Sequence, residues 1–313
     1  MKQSRRPNDA IKGFKFKFPD DAEEHYRHLN SLLSPFRKTP THKYGSYGGP
    51  WLENIFVQHF SSKPLHYFNG LIPLIVTWVD NERFHSFNGT SATFERLHKL
   101  LNANLRPDVL YFTLSQSDLG LKQLGDDNPN ILVFSAGGNG HIPIPLIKGN
   151  QALNPIPPKW GYDLAFFGTS NQAPRNCNRS AVLQYISDNA MKKWNFKYAS
   201  GKKTNWVAAM AQTKFNLAPR GFGRTSFRFV ESIHIGRVPI FIYEDIPWLP
   251  YQNTPLDIRE YGYVLGWTRK NTTQAVLALL FPTIPLLHYS LLFPTIPYYS
   301  STIPLTLLFP TIP

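Results

Sequence analysis

Three arginines, spaced four residues apart near the middle of the second half of this 313-residue chain, can bind an anion. Arg220, Arg224 and Arg228 flank the predicted start of a helix. Backbone N–H groups and the helix macrodipole already favour negative charge at that end of a helix. Three arginines around a turn are also common as solvated surface charge, so the spacing alone leaves both readings open. Together with the helix start, the arginines predict a site that fits a diphosphate.

The elements predicted around the arginines are a strand, a turn and a helix. Residues 214–219 form a short, mostly apolar run that ends in proline. Gly221 and Gly223 then allow the backbone to turn tightly. Either Thr225 or Ser226 can cap the helix that follows. A strand that leads through a glycine-rich turn into a helix is a recurrent way to hold a phosphate.

A carboxylate follows the arginines on the same predicted helix. Glu231 lies three residues beyond Arg228, so the two side chains share one face of the helix. Glu231 can pair with Arg228, or it can accept hydrogen bonds from ribose hydroxyls, as acidic residues do in other nucleotide folds. Arginines followed one turn later by a carboxylate indicate a nucleoside diphosphate.

The segment from residue 218 to 250, APRGFGRTSFRFVESIHIGRVPIFIYEDIPWLP, resembles the exostosin-like glycosyltransferases (glycosyltransferase family 47). That family has a PRG turn, a Ser-x-Arg at a helix start, a Glu in the helix, a VPV-like strand and a Leu-Pro-aromatic loop, in this order. The matching residues are Pro219-Arg220-Gly221, Ser226-Phe227-Arg228, Glu231, Val238-Pro239-Ile240 and Leu249-Pro250-Tyr251. Upstream, residues 162–186 resemble the strand that opens the family's donor domain, with Arg175 or Arg179 as its following arginine. The resemblance covers residues 130–267 and is looser toward the N-terminus.

The resemblance implies a GT-B fold, an α/β architecture in which two Rossmann-like domains face a cleft. It implies transfer of a sugar from a nucleotide sugar, taken to be a UDP-sugar, to a glycan or glycoprotein acceptor, with inversion and without a metal or other cofactor. The nucleotide-sugar ligands would be Arg220, Gly221, Arg224, Ser226, Arg228 and Glu231. The family further implies a Golgi or endomembrane location and a hetero- or homo-oligomer with another glycosyltransferase. Gly236-Arg237 departs from the family pattern, and the extra charge leaves the donor open.

An inverting transfer usually needs a base that takes the proton of the acceptor hydroxyl, and the resemblance places it on the first domain. Residues 71–79 are almost continuously apolar, which predicts a strand buried on both faces of a parallel sheet. Asp80 and Glu82 follow its predicted end, where clefts form in such sheets, and His141 is a further candidate. Each of these side chains can instead cap or anchor a loop. Asp80 and Glu82 are therefore the catalytic candidates, with the structural role as the alternative.

Predicted strands and helices alternate along the chain, which is typical of doubly wound α/β domains. We expect an irregular segment over residues 1–50, an acceptor-side Rossmann-like domain over 51–148, a nucleotide-sugar-binding Rossmann-like domain over 149–278 and a low-complexity tail over 279–313. The tail contains three copies of LLFPTIP, whose prolines exclude a helix. Strands are predicted over residues 109–114, 131–135 and 162–168, and helices over residues 22–33, 51–60, 90–102, 179–189 and 204–213. The glycine-rich turn at 136–141 is interpreted as a tight turn between domains rather than as a substrate contact.

The chain is basic, with 33 Lys and Arg against 20 Asp and Glu, which gives a formal net charge of +13. A basic surface concentrates anionic partners, so nucleic acid competes as a partner with a nucleotide sugar or an anionic polysaccharide. The sequence has no zinc-finger spacing, RNP aromatic motif or basic heptad region. We therefore expect no nucleic-acid binding.

Several residue types narrow the remaining possibilities. Cys177 is the single cysteine, which excludes an internal disulfide and a cysteine-based metal site. His25 and His28 have the spacing of a ligand pair but lack a third partner, which favours a solvated helix face. The basic N-terminus lacks the apolar stretch of a signal peptide or membrane anchor, so either an anchor lies outside this chain or the protein works in a soluble form. The alternative function is a non-catalytic carbohydrate-binding or partner-stabilising relative, because the tail replaces the family's C-terminal helical segment.

Overall fold

The computed structural model describes residues 16–37, 49, 51–82, 92–118, 121, 128–149, 154, 157, 159–170, 179–190, 192 and 195–267. Within them the chain forms two parallel β-sheets with helices packed on them, a mixed α/β architecture. The predicted repeats of the tail, Cys177 and Arg175 lie outside the described residues.

The first sheet has four parallel strands in chain order. They are β1 (Ile72–Pro73), β2 (Tyr111–Ser115), β3 (Ile131–Ser135) and β4 (Ile142–Pro143). All residues of β2 and β3 are buried, as strands covered on both faces must be. The helices of this unit are α1 (Ala22–Leu33), α2 (Leu52–Phe60), α3 (Trp78–Glu82) and α4 (Ala92–Asn104). The strands predicted over residues 109–114 and 131–135 and the three predicted helices of this region are confirmed, with boundary shifts of at most two residues.

The predicted strand over residues 71–79 is wrong in its extent. Only β1 pairs with β2, and the chain turns into helix α3 at Trp78. The residues between are fully buried, but side chains bind their backbone, since the Arg37 guanidinium donates to the Ile75 carbonyl at 3.0 Å. The buried carboxylate of Glu53 accepts the N–H of Val79 at 2.7 Å, which stabilises the start of α3. Continuous burial therefore arises here without a continuous strand.

The second sheet has five parallel strands in the order β6-β5-β7-β8-β9. They are β5 (Tyr162–Phe167), β6 (Tyr198–Gly201), β7 (Thr213–Pro219), β8 (Val238–Tyr243) and β9 (Tyr263–Gly266). The helices of this unit are α5 (Arg179–Ala190), α6 (Trp206–Ala211) and α7 (Phe227–His234). The predictions for β5, α5, α6 and the strand–turn–helix unit of β7 and α7 are confirmed. Strands β6 and β9, which have no strong apolar alternation, were not predicted.

Helix α7 contacts both units. Its residues Phe227 and Val230 pack against the core of the first unit, while Phe229 lies in the core beside β7 and β8. Phe227 also packs against Trp51 and Val79. The start of α7, where the arginines lie, is therefore at the junction between the two sheets.

Arg237 has a structural role that its charge alone does not indicate. The residue is 2% exposed, and its guanidinium donates to the carbonyls of Ala211 at 2.8 Å and Gly236 at 2.9 Å. Its Nη1 also lies 3.1 Å from the Asn154 carbonyl, and the guanidinium carbon lies 5.4 Å from the centre of the Trp160 ring. Arg237 thus binds the end of α6 to the turn between α7 and β8.

Replacing Arg237 with methionine is expected to lower the free energy of unfolding by about 2–3 kcal/mol, because buried carbonyls lose hydrogen bonds from a charged donor. The measurement is urea denaturation followed by circular dichroism. The matched control is Arg106→Met, because Arg106 is 39% exposed in its side chain and pairs with Asp21 on the surface, where such pairs contribute little. Equal shifts in the two variants would show that Arg237 does not hold this turn.

Candidate functional site

The arginine-rich loop follows the carboxyl end of β7. The Arg220 N–H donates to the Ile242 carbonyl at 2.9 Å, and the Gly221 N–H donates to the Thr225 carbonyl at 2.6 Å. These bonds fold the loop back on itself at the edge of the sheet. Ligands of parallel α/β sheets bind at this edge, where the strands end.

Arg220 and Arg224 both bind Asp245, and we name these three residues the Asp245 cluster. Arg220 Nη1 lies 3.1 Å from Oδ1 of Asp245, and Arg224 Nε lies 2.8 Å from Oδ2. The arginine side chains are 13% and 14% exposed, whereas the Asp245 side chain is 42% exposed. Burial by itself would raise the pKa of the Asp245 carboxyl, but the hydrogen bond from Arg224 and the two positive charges hold it below its usual value. An ionised carboxylate therefore sits between two guanidinium groups.

Arg228, Glu231 and Lys148 form a second group, the Glu231 cluster. Arg228 Nη1 donates to Oε2 of Glu231, and Lys148 Nζ lies 3.2 Å from Oε1. The Glu231 side chain is 1% exposed. Within the described ranges the buried Oε1 atom receives no hydrogen bond in good geometry, and Lys148 is its ion-pair partner. The pairing of Glu231 with Arg228, one of the two predicted roles, is present.

Arg228 is held firmly at the end of β5. Its Nε donates to the Phe167 carbonyl at 2.5 Å, and its guanidinium carbon lies 4.3 Å from the centre of the Trp206 ring. Burial and the charge of Arg179 lower the pKa of Arg228 to about 10. The guanidinium therefore remains protonated at neutral pH, and it makes a cation–π contact that fixes its plane.

Arg179 lies between the two clusters. Its Nε and Nη2 donate to the Arg220 carbonyl at 2.9 and 2.5 Å, and its Nη1 donates to the Thr169 carbonyl at 2.9 Å. With Arg179, the side chains of the two clusters comprise five cations and two carboxylates. This local excess of positive charge favours an anionic ligand.

The glycine-rich turn of the first unit fits against the arginine loop. Arg224 Nη1 donates to the Gly138 carbonyl and to Asn139 Oδ1, each at 2.7 Å, and the Arg224 N–H donates to the Gly137 carbonyl at 3.0 Å. A Cβ at Gly223 would overlap the Gly137 carbonyl oxygen, and one at Gly138, where φ is +101°, would overlap Arg224. Along the chain this turn connects β3 to β4 within the first sheet, so its interpretation as a tight turn between domains is wrong; its glycines instead pack against the arginine loop of the second unit.

The start of helix α7 is bonded to the first unit rather than capped by a side chain. Ser226 occupies the N-cap position, but its hydroxyl makes no capping hydrogen bond. The Thr225 hydroxyl donates to the Ala136 carbonyl at 2.7 Å. Neither of the two predicted capping side chains therefore binds the helix N-terminus.

The candidates for the base on the first unit lie in different surroundings from those expected. Asp80 lies inside helix α3 and is 3% exposed, so an acceptor hydroxyl does not reach it in this arrangement. Glu82 is the last residue of α3. The ring Nδ1 of His141 accepts the N–H of Val133 at 2.9 Å, which binds it to the sheet.

Sequence reasoning missed four residues that the structure places at the site. Asp245 and Lys148 are distant from the arginines in sequence, and only the pairing of β8 with β7 and the path of the linker bring them close. Asn139 contacts Arg224 from the first unit. Asp118 follows β2, and its Oδ1 lies 2.9 Å from the position a Cβ would take at Gly223. The position of Asp118 shortly after the end of a strand is the one sequence feature that could have indicated its place at the site.

The two histidines of the predicted pair lie in different environments. His25 is buried, with Nε2 2.7 Å from the Tyr111 hydroxyl, so the expected solvated face is wrong for this residue, whereas His28 is exposed and contacts Asn104. In the described part of the chain, no group of three His, Cys, Asp or Glu side chains is placed to hold a metal ion. None of the helices among the described residues is long and apolar enough to cross a bilayer.

Comparison with known proteins gives little. No protein-family model matches the chain, and no curated protein matches it. A solved structure described as "Crystal structure of GtfA/B complex" aligns with 66% of this chain at a TM-score of 0.31 and 11% sequence identity. The alignment spans 42% of the length of that chain. The function must therefore be argued from the site itself.

Replacing Arg228 with methionine is expected to destabilise the fold by about 3–5 kcal/mol, because the buried carboxylate of Glu231 loses its direct partner. The double variant Arg228→Met/Glu231→Gln should lose less, since residue 231 is then neutral and only Lys148, whose side chain is 25% exposed, loses its ion-pair partner. Urea denaturation of the single and double variants measures the difference. A double variant as unstable as the sum of its two single variants would show that the pair is not coupled.

Proposed function

We propose that the chain binds a nucleotide sugar at the two arginine clusters and transfers the sugar to a glycan or glycoprotein acceptor. The donor is a UDP-sugar, and the transfer is inverting and needs no metal. This follows the resemblance to the exostosin-like glycosyltransferases on the residues that form the clusters. The observation that carries the proposal is the convergence of Arg220 and Arg224 on the one carboxylate of Asp245 at the carboxyl edge of the second sheet.

The Asp245 cluster has the geometry of a diphosphate site. Two guanidinium groups point at one pair of oxygens, and guanidinium forks bind phosphate oxygens as they bind carboxylates. Asp245 is far more exposed than its partners, so a diphosphate can take its place without unfolding the loop. In this proposal Asp245 occupies the ligand's place until the ligand arrives.

The Glu231 cluster supports a ribose-binding role for Glu231. The Oε1 atom is buried and accepts no hydrogen bond among the described residues, which is uncommon in folded proteins, so a ribose hydroxyl reaches it only if the side chains that cover it move. A ribose hydroxyl is a neutral donor that would then bind to this oxygen. Arg228 holds the carboxylate in place through the bond to Oε2.

The site can assist departure of the nucleoside diphosphate. Negative charge builds on the leaving diphosphate as the bond to the sugar breaks, and fixed cations stabilise that charge without having to reorganise. Arg228 is fixed by a carbonyl, a carboxylate and an indole ring, so its charge is already oriented. The base that takes the acceptor's proton remains assigned to Asp80 or Glu82, which requires helix α3 to open toward the cleft.

The second candidate function is a non-catalytic binder of carbohydrate or of a partner glycosyltransferase. It shares the nucleotide site but not the turnover, so donor hydrolysis or transfer separates the two. The Golgi or endomembrane location and the oligomer with another glycosyltransferase belong to the same proposal. Nucleic-acid binding is not part of it.

Wild-type protein is expected to bind UDP in isothermal titration calorimetry, and Arg220→Gln should weaken binding roughly 10- to 100-fold, the effect of losing a charge-assisted hydrogen bond. Arg220 is a better choice than Arg228, because removing Arg228 would also destabilise the fold by taking the direct partner of the buried Glu231 away. The control is Arg106→Gln, another arginine paired with an aspartate but placed before the amino end of β2. Absence of UDP binding, or equal affinity in both variants, would refute the nucleotide site.

Replacing Asp245 with asparagine should raise the affinity for inorganic pyrophosphate roughly three- to tenfold, because the competing charge is worth about 1 kcal/mol in a partly exposed pair. Titrations at one fixed ionic strength measure it, since salt screens exposed charges. Asp21→Asn, which neutralises the partner of Arg106, is the control. Weaker binding by Asp245→Asn would mean that Asp245 orients the arginines rather than occupying the ligand's place.

A further inference from the structure

Phe222 is an exposed aromatic side chain at the centre of the arginine loop. It is 39% exposed, and the other large apolar side chains with comparable exposure among the described residues are Phe18, Tyr67 and Leu256. In the ranges that the structure describes, its ring makes no aromatic or cation–π contact. Single exposed apolar residues are normal on protein surfaces, so the position of Phe222 has to carry the argument.

The loop backbone is fixed on both sides of Phe222. The N–H groups of Arg220 and Gly221 bind carbonyls of the second unit, and the N–H of Arg224 binds the Gly137 carbonyl of the first unit. Gly223 leaves no room for a side chain against the first unit. The backbone on both sides of Phe222 is therefore fixed by hydrogen bonds. The exposure of the phenyl ring is a feature of this fixed loop conformation.

We propose that the phenyl ring of Phe222 stacks on the nucleobase of the ligand whose diphosphate lies between Arg220 and Arg224. This inference rests on the proposed nucleotide site and adds the part of the ligand that Phe222 recognises. Phe222 lies two residues from Arg220 and two residues from Arg224, the arginines proposed to bind the diphosphate. In a nucleoside diphosphate a planar base is joined to the diphosphate through one ribose, so a ring at this position can meet the base. Every base has a π-face, so such stacking is tolerant of the base and strong enough to matter.

The base is a better partner for Phe222 than the sugar of the donor. A sugar ring carries several hydroxyls that need polar partners, and a binding site that leaves them unpaired loses affinity. The Asn139 side chain beside the loop is already engaged, because it accepts from Arg224 and donates to the Asp118 carbonyl. A nucleobase needs only a flat apolar surface for stacking.

The test compares UDP with inorganic pyrophosphate, which shares the diphosphate but lacks the base, in calorimetric titrations of the full chain. Phe222→Ala should weaken UDP binding about 5- to 100-fold and leave pyrophosphate binding unchanged. Phe222→Trp should keep or strengthen UDP binding, because the stacking surface is retained. Phe18→Ala, which removes another exposed phenyl, is the control and should change neither affinity.

Each alternative outcome has its own meaning. If wild-type protein binds neither compound, the proposed nucleotide site itself fails. If wild type binds both and Phe222→Ala changes neither affinity, or lowers both equally, the stacking role is refuted while the anion site stands. If Phe222→Ala keeps UDP affinity but removes the extra affinity of UDP-glucose or UDP-galactose over UDP, the ring contacts the sugar and the base assignment is wrong.

Discussion

The close approach of two loops at the junction of the sheets is the constraint on which the site depends. Gly137 and Gly138 of the first unit lie against Gly223 and Arg224 of the second with no room for a Cβ at Gly138 or Gly223. This contact brings the Arg224 guanidinium within reach of two acceptors on the first unit. Because helix α7 begins directly after the loop and packs on the first core through Phe227, the contact also sets where Arg228 and Glu231 stand. A side chain at Gly138 or Gly223 would push the two loops apart and shift Arg224.

Electrostatics explains why a strongly basic site can exist before any ligand binds. Three arginines crowded together would repel one another, and burying their charges without partners would be costly. The structure meets both difficulties with internal carboxylates, one for each cluster, and with carbonyl acceptors at the ends of β5 and β7. The carboxylates do not neutralise the cations completely, so the site stays folded and remains attractive to anions.

The sequence was sufficient for the elements that follow local rules. Strand β3 and the β7-turn-α7 unit could be predicted from apolar runs, glycines and arginine spacing; Arg220 and Arg224 do meet, at Asp245, and Arg228 does pair with Glu231. Residues 74–82 could not be predicted, because the carbonyl and N–H groups of that stretch bind the side chains of Arg37 and Glu53, which no periodicity reveals. The division of the arginines into two clusters could not be predicted either, because it depends on Asp245 and Lys148. Asp245 comes close to the arginines through the strand order of the second sheet, and Lys148 comes close through the path of the chain between β4 and β5. Arg237 illustrates the opposite error of sequence-based prediction. Its charge suggested an influence on the ligand, but its guanidinium donates to buried backbone carbonyls instead.

The two clusters differ in burial, and the proposed function gives them different parts of one ligand. Glu231 is almost fully buried and is bound to an arginine that stays protonated to a pKa of about 10, so removing either charge would leave the other unpaired in the interior. The Asp245 side chain is partly exposed, so its ion pairs are more strongly screened than that of Glu231 and it exchanges more easily for another anion. In the proposed function an incoming diphosphate would replace Asp245 and leave Glu231 in place, with the buried Oε1 of Glu231 as the acceptor proposed for a ribose hydroxyl. In the proposed complex the diphosphate takes the place of Asp245, while Glu231 stays bound to Arg228 and accepts from the ribose. One carboxylate that can be displaced and one that stays in place suit a ligand in which a diphosphate is joined to a ribose.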